Sequence, residues 1–214
     1  MRKPQSVKGL EELGRVRLSK SFFMRDFLHS EISQIESIPN IPDYPAVAIE
    51  VGKELCENIL EPLEKQFGRI SIRSAYRSPA VNGKGAENKN QYNCASNESN
   101  YAGHIWDYRD ADGCLGGTVC IIVNSFIPYY EQTGDWQALA WWIHDNLPGY
   151  SHMQFFPKMA AFNISWHQAP KKEIRSYISG GPRLLTKPGM DNFSGEHSEH
   201  YRTMLEQLGF SKPT

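Results

Sequence analysis

The sequence predicts one domain in which helices and strands are mixed, and three observations carry that expectation. From Val47 to Phe67, the apolar residues Val47, Val51, Leu55, Ile59, Leu60 and Leu63 fall at helical spacing. Ile70 and Ile72 alternate with polar residues as a half-buried strand requires, and Ser78-Pro79 stops the extended run. Thr118-Val119-Cys120-Ile121-Ile122-Val123 is a continuous β-prone run of the kind that fills a fully buried strand. A chain of 214 residues accommodates one full core with ordered extensions.

The first dozen or so residues lack a convincing amphipathic period and read as an arm, with order beginning near Leu18-Ser19. Ser21 to Leu28 reads as a capped helix start with Phe23, Phe27 and Leu28 on one face. A proline-rich connection, Ile38 to Pro45, leads into the long core helix, whose last turn Pro62 bends or restarts. Cys56 lies inside that helix as a small core residue. From Val81 to Gly103 the chain is polar and turn-rich, which predicts an exposed loop able to border a site. Asp135 caps a helix that the Pro148-Gly149 turn ends; residues 152–156 and 162–167 suit two further strands, and Lys171 to Ile178 an amphipathic segment. Beyond Gly180 the chain is rich in Gly and Pro, with a last helix near Glu199 to Leu208. The boundaries are thus an arm over 1–17, a domain over 18–180 and an extension over 181–214.

Composition excludes some classes of function. With 40% hydrophobic residues and a formal net charge of -1, no whole-molecule field pulls the chain onto nucleic acid or an anionic membrane. No run approaches the roughly 20 apolar residues of a membrane-spanning helix, so membrane insertion is not expected. Cys56, Cys94, Cys114 and Cys120 form no Cys-x-x-Cys pair, and no apolar signal segment follows Met1-Arg2-Lys3. These features predict synthesis in a reducing cytoplasm without a signal peptide.

Gly103-His104-Ile105-Trp106-Asp107-Tyr108-Arg109-Asp110-Ala111-Asp112 crowds one imidazole and three carboxylates into a short stretch. Imidazole nitrogen, carboxylate oxygen and thiolate all bind zinc, so the stretch can supply half of a metal site. Spacing alone describes equally a surface loop whose Asp residues cap turns. Trp141-Trp142 and Phe155-Phe156 read as core or interface aromatics. His144 reads as a solvated or capping residue, and His197 and His200 as an exposed His-x-x-His in a polar tail.

Ser74-Ala75-Tyr76-Arg77-Ser78-Pro79, with the strand before it, resembles the Ser-x-Tyr-Arg-Ser-Pro strand end of the zinc D-Ala-D-Ala peptidase family, related to the Hedgehog amino-terminal fold. The resemblance spans roughly Leu18 to Ile178. Ser21 to Phe27 resembles the family's opening helix, with Asp26 where Glu is commoner. It implies an α+β domain, a small antiparallel sheet carrying a zinc site and packed against helices. His104 matches the first metal-binding His of the family and His167, after Trp166, the second. The family's Gly-x-Ala-x-Asp does not follow His104 at the usual distance. Cys120 occupies the Asp position if Gly116 to Val123 is the equivalent strand, and Asp107 is the rival third ligand; in an apolar strand Cys120 also reads as a core thiol.

No Glu lies between Tyr150 and His167, where the family places its general base, which leaves His152 as the substitute base or a fourth ligand. Ser74, Tyr76 and Arg77 are the substrate-binding candidates, with Arg77 the anchor for a substrate carboxylate; its alternative is an internal ion pair. The implied activity is zinc-dependent cleavage of stem-peptide or crosslink bonds in peptidoglycan, by an enzyme of phage lysis or of the phage particle. Peptidoglycan peptide and virion proteins are the implied partners, and the cell wall, reached after release or from within a particle, the implied place of action. The alternative is a catalytically inactive structural or wall-binding module, such as a phage particle subunit, that retains the fold.

Overall fold

The computed structural model describes residues 1–87, 92 and 94–210. Six strands, β1 (Ile70–Ser74), β2 (Gly116–Val123), β3 (Tyr150–Phe155), β4 (Phe162–His167), β5 (Glu173–Ser176) and β6 (Leu184–Thr186), form one sheet in the order β1-β2-β4-β3-β5-β6. Every neighbouring pair is antiparallel except β3 with β5, so the sheet is mixed where an antiparallel one was expected. The parallel strand is the segment after Lys171, read from sequence only as amphipathic. Val119, Ile121, Phe162, Ile164, Met153, Phe155 and Ile174 are buried, and the register aligns Val119 with Ile164 and Met153 on one face. With a side-chain period of two, the alternate residues lie on the other face. That second face carries Thr118, Cys120, Asn163, Ser165, His167, His152 and Gln154, and so three of the candidate site residues, Cys120, His152 and His167.

Helices cover the apolar face. The N-terminal segment expected to be an arm contains α1 (Val7–Gly14), capped by the Ser6 side chain and anchored by buried Leu13. Met24–Phe27 forms a single 3-10 turn in place of the expected helix, with Phe27 buried and Phe23 exposed. After the short α2 (Glu31–Glu36), the core helix is α3 (Pro45–Leu55), a π-turn over Cys56–Leu60 and α4 (Glu61–Phe67). Pro62 has no N–H to give the carbonyl four residues back, and the widened turn falls immediately before it. Val51, Leu55, Cys56, Ile59, Leu60 and Leu63 are fully buried. At Gly117 an added Cβ would lie 2.5 Å from Val51 Cγ1, so the missing side chain sets how closely α3 approaches β2.

The polar stretch after Val81 is not wholly loop: α5 (Pro79–Glu87) and α6 (Asn97–Asn100) occupy its two ends, and residues 88–91 and 93 of the expected loop lie outside the described residues. α7 (Ile127–Thr133) follows β2, and α8 (Gln137–Asn146) starts where Ala138 N–H donates to Asp135 Oδ1 at 3.1 Å. α9 (Ser198–Leu208) packs against α8 through Tyr201, Met204 and Leu205. Among the described residues, no helix is long and apolar enough to cross a membrane.

Candidate functional site

The segment after β1 and the loop containing His104 meet at the edge of β2. Arg77 N–H donates to His104 O at 2.8 Å, Thr118 N–H donates to Gly103 O at 2.9 Å, and His104 Nδ1 lies 2.7 Å from Ala75 O. A carbonyl can only accept, so Nδ1 carries the hydrogen and Nε2 keeps its lone pair. His104 is 7% exposed, and Nε2 has no protein partner among the described residues at the cavity it lines with Arg73, Ser74, Arg77, Cys120 and Asn163. Burial, with the nearby Arg77 charge, pushes His104 down to about 3 from its ordinary 6.5, so the ring is neutral at physiological pH.

Arg77 shares this cavity with Arg73 and Glu31. Its Nη1 donates to Cys94 Sγ at 2.7 Å, while its Nε is buried without an acceptor. Among the described residues no carboxylate pairs with it. The internal ion pair weighed as the structural role for Arg77 is therefore not formed there. Cys120, paired in register with Ser74 and Asn163, packs beside Ile122 and Ala161. Burial raises its thiol to about 11, against the pull of Arg73, so it is protonated at neutral pH.

The other expected ligands have different positions. Asp107 is 3% exposed; its Oδ2 accepts from Asp43 N at 2.7 Å and Tyr44 N at 3.0 Å, and its Oδ1 from Tyr76 Oη at 3.0 Å. It thus caps the start of α3, where Tyr44 supplies no side-chain cap, and fixes buried Tyr76. Burial raises the Asp107 carboxyl, and the hydrogen bonds from Tyr44 and Tyr76 oppose that rise.

His167 belongs to a neighbouring cavity on the same sheet face, together with His152, Ser165 and Glu173. Its ring lies over Gly116, where a Cβ would sit 2.6 Å from Cδ2. His167 Nδ1 lies 2.9 Å from Ala169 O and 3.0 Å from Ala169 N, and Nε2 lies 3.0 Å from Asp110 Oδ2. His152 Nε2 is 3.6 Å from Glu173 Oε1; burial lowers the His152 pKa and Glu173 opposes the shift. The structure therefore gathers Ser74, Arg77, His104 and Cys120, sets His152 with His167, and buries Tyr76 with Asp107 beneath them.

Among the described residues, the group of three or more His, Cys, Asp or Glu side chains close enough to hold one metal ion is His144, Asp145 and His197. It lies at the junction of α8 and α9, not on the open sheet face. No family model matches this chain, and neither a curated protein nor a solved structure matches it.

Sequence reasoning did not single out Asn163 or Cys94 as lining the Arg77 cavity. Asn163 was within reach of it, because Asn163, Ser165 and His167 alternate with the apolar residues of β4. Cys94 gave no such signal, since it follows a stretch without periodicity. Chemically the cavity offers two guanidiniums, of Arg73 and Arg77, against the one Glu31 carboxylate, with a neutral imidazole lone pair, an amide and a protonated thiol, a set whose excess of cations suits holding a carboxylate beside a hydrogen-bond donor.

Proposed function

We propose that the domain is a peptide-binding module of peptidase-like type, which takes the carboxylate end of a peptidoglycan stem peptide into the Arg77–His104 cavity. The observation that carries this reading is Arg77: a half-buried guanidinium that lines a cavity, leaves its Nε without an acceptor and has no carboxylate partner among the described residues. A desolvated guanidinium without a counter-ion is costly, and a ligand carboxylate supplies both charge and acceptors. His104 Nε2, as an acceptor, suits the N–H of the residue that bears the carboxylate.

Binding is preferred to hydrolysis because the donor set does not fit a catalytic zinc. Such a site needs three protein ligands and an open position. The cavity is lined by His29, Glu31, Cys94, His104 and Cys120, yet among the described residues no three of these bring ligand atoms within 4.8 Å of one another, while Asp107 has both carboxylate oxygens engaged and His167 both ring nitrogens.

One observation favours a zinc peptidase as the second reading: the Ala75 carbonyl holds His104 Nδ1 so that Nε2 faces the cavity, as an outer partner orients a metal-binding His. The two readings part in one assay, incubation of the protein with a stem pentapeptide ending in D-Ala-D-Ala, with and without added Zn²⁺, followed by chromatography of the peptide. A binding module retains the peptide uncleaved in both arms. Zinc-dependent release of D-Ala, abolished in His104→Ala, supports the enzyme and overturns the binding-only reading.

A further inference from the structure

A second cluster ties the C-terminal segment to the domain, far along the chain from the Arg77 cavity and independent of its reading. His144 and Asp145 lie in the last turn of α8, His197 immediately precedes α9, and one ligand atom from each lies within 4.8 Å of the other two. His144 Nε2 is 2.9 Å from Phe193 O, and His197 Nε2 is 3.0 Å from Asn192 O. Carbonyls only accept, so each Nε2 carries a hydrogen and each Nδ1 is left for another partner. Two consecutive carbonyls of one loop thus orient both imidazoles, as outer-sphere partners orient metal-binding histidines.

The inner atoms complete the picture. His197 Nδ1 is 2.6 Å from Asp145 Oδ1, and His144 Nδ1 is 2.5 Å from Tyr150 Oη. Two atoms that both present lone pairs at 2.6 Å need a positive charge between them, supplied by a proton or by a metal ion. His197 N–H donates to Asp145 Oδ2 at 3.0 Å and holds the carboxylate in place, and the Trp141 ring stacks on His197 with centroids 4.1 Å apart. His197 is 7% exposed, in contrast to the exposed tail expected from its sequence.

We infer that His144, Asp145 and His197 form a site for a divalent ion of zinc type, which clasps the C-terminal helix to α8. Two imidazole nitrogens and one carboxylate oxygen are donors that zinc accepts, whereas calcium and magnesium favour all-oxygen sets. The Tyr150 hydroxyl or a water completes four-coordination. Because its ligands join the end of α8 to the start of α9, its role is structural: metal binding stabilises the folded C-terminal segment by mass action.

The test uses the full chain, stripped with a chelator, dialysed and titrated with Co²⁺ and then Zn²⁺. The expected result is uptake of one Co²⁺ per chain with the intense visible absorption of a four-coordinate ion, its displacement by Zn²⁺, and a raised melting temperature. His104→Ala keeps that uptake, while Asp145→Asn and His197→Gln, each shown to be folded by circular dichroism, lose it. No uptake by the stripped wild-type chain leaves a proton as the sole bridge and overturns the inference without needing any variant. Uptake that survives in both Asp145→Asn and His197→Gln, or is lost in His104→Ala alone, moves the ion elsewhere and overturns it as well.

Discussion

Asp107 and His104 stand three positions apart, yet they do opposite work. Asp107 is spent on structure: it closes the α3 terminus and the Tyr76 hydroxyl, so Asp107→Ala removes a helix cap and orphans a buried donor. A loss of about 2–4 kcal/mol is expected in urea unfolding, with peptide affinity of the folded protein retained. Unchanged stability would contradict the capping role.

His104 instead keeps a lone pair at the cavity and resists protonation. Its folded-state pKa, pushed down by burial to about 3, lies below the ordinary 6.5 of the unfolded chain. Between those values the unfolded chain binds more protons, so the His104 contribution is whole above pH about 6.5 and lost as pH falls toward about 3. Stability measured across that window should fall less steeply in His104→Gln than in the wild type. Parallel curves would show that burial of His104 does not govern the acid limb.

At the scale of elements, what could be read from sequence was what local pattern alone determines. β1 and β2 follow from alternation and from a β-branched run, and α8 from its Asp135 cap and its Pro-Gly stop. α5 escaped because its sequence, Pro79 to Glu87, carries two glycines and little apolar periodicity. Contacts from elsewhere in the chain hold it: Asn82 Nδ2 donates to Ala95 O at 3.1 Å, and a Cβ on Gly85 would lie 2.6 Å from Cys94 Sγ.

β6, three residues at the sheet edge, is too short for a period. The same division runs through the site. Ser74, Arg77, His104 and Cys120 line one cavity and His167 the next, whereas the engagement of Asp107 depends on Asp43 and Tyr44, more than sixty positions away in sequence. Gly117 tests the packing of α3 on β2, since a methyl there meets Val51 Cγ1 at 2.5 Å. Gly117→Ala should cost about 1–3 kcal/mol by overpacking. A neutral outcome in thermal and urea unfolding would mean that α3 yields without penalty.

For the whole molecule, one sheet separates two tasks. Its apolar face is sealed by the core helices, and its polar face lines the Arg77 cavity and the neighbouring His152–His167 cavity. Arg77 stays in place because it follows strand β1, the His104 carbonyl accepts its backbone N–H, and its Nη1 donates to Cys94 Sγ. A planar fork held this way distinguishes a carboxylate from its amide, and Lys in its place keeps the charge but not the fork.

Calorimetric titration of the wild type and Arg77→Lys with a stem peptide ending in a free carboxylate, and with the same peptide amidated, therefore tests the central claim most directly. The account predicts that wild-type binding weakens at least tenfold either on amidation or in Arg77→Lys, with the two changes together adding little and the melting temperature unmoved. Equal affinity for the acid and the amide, or an Arg77→Lys chain that binds the free acid as tightly as the wild type, would contradict it.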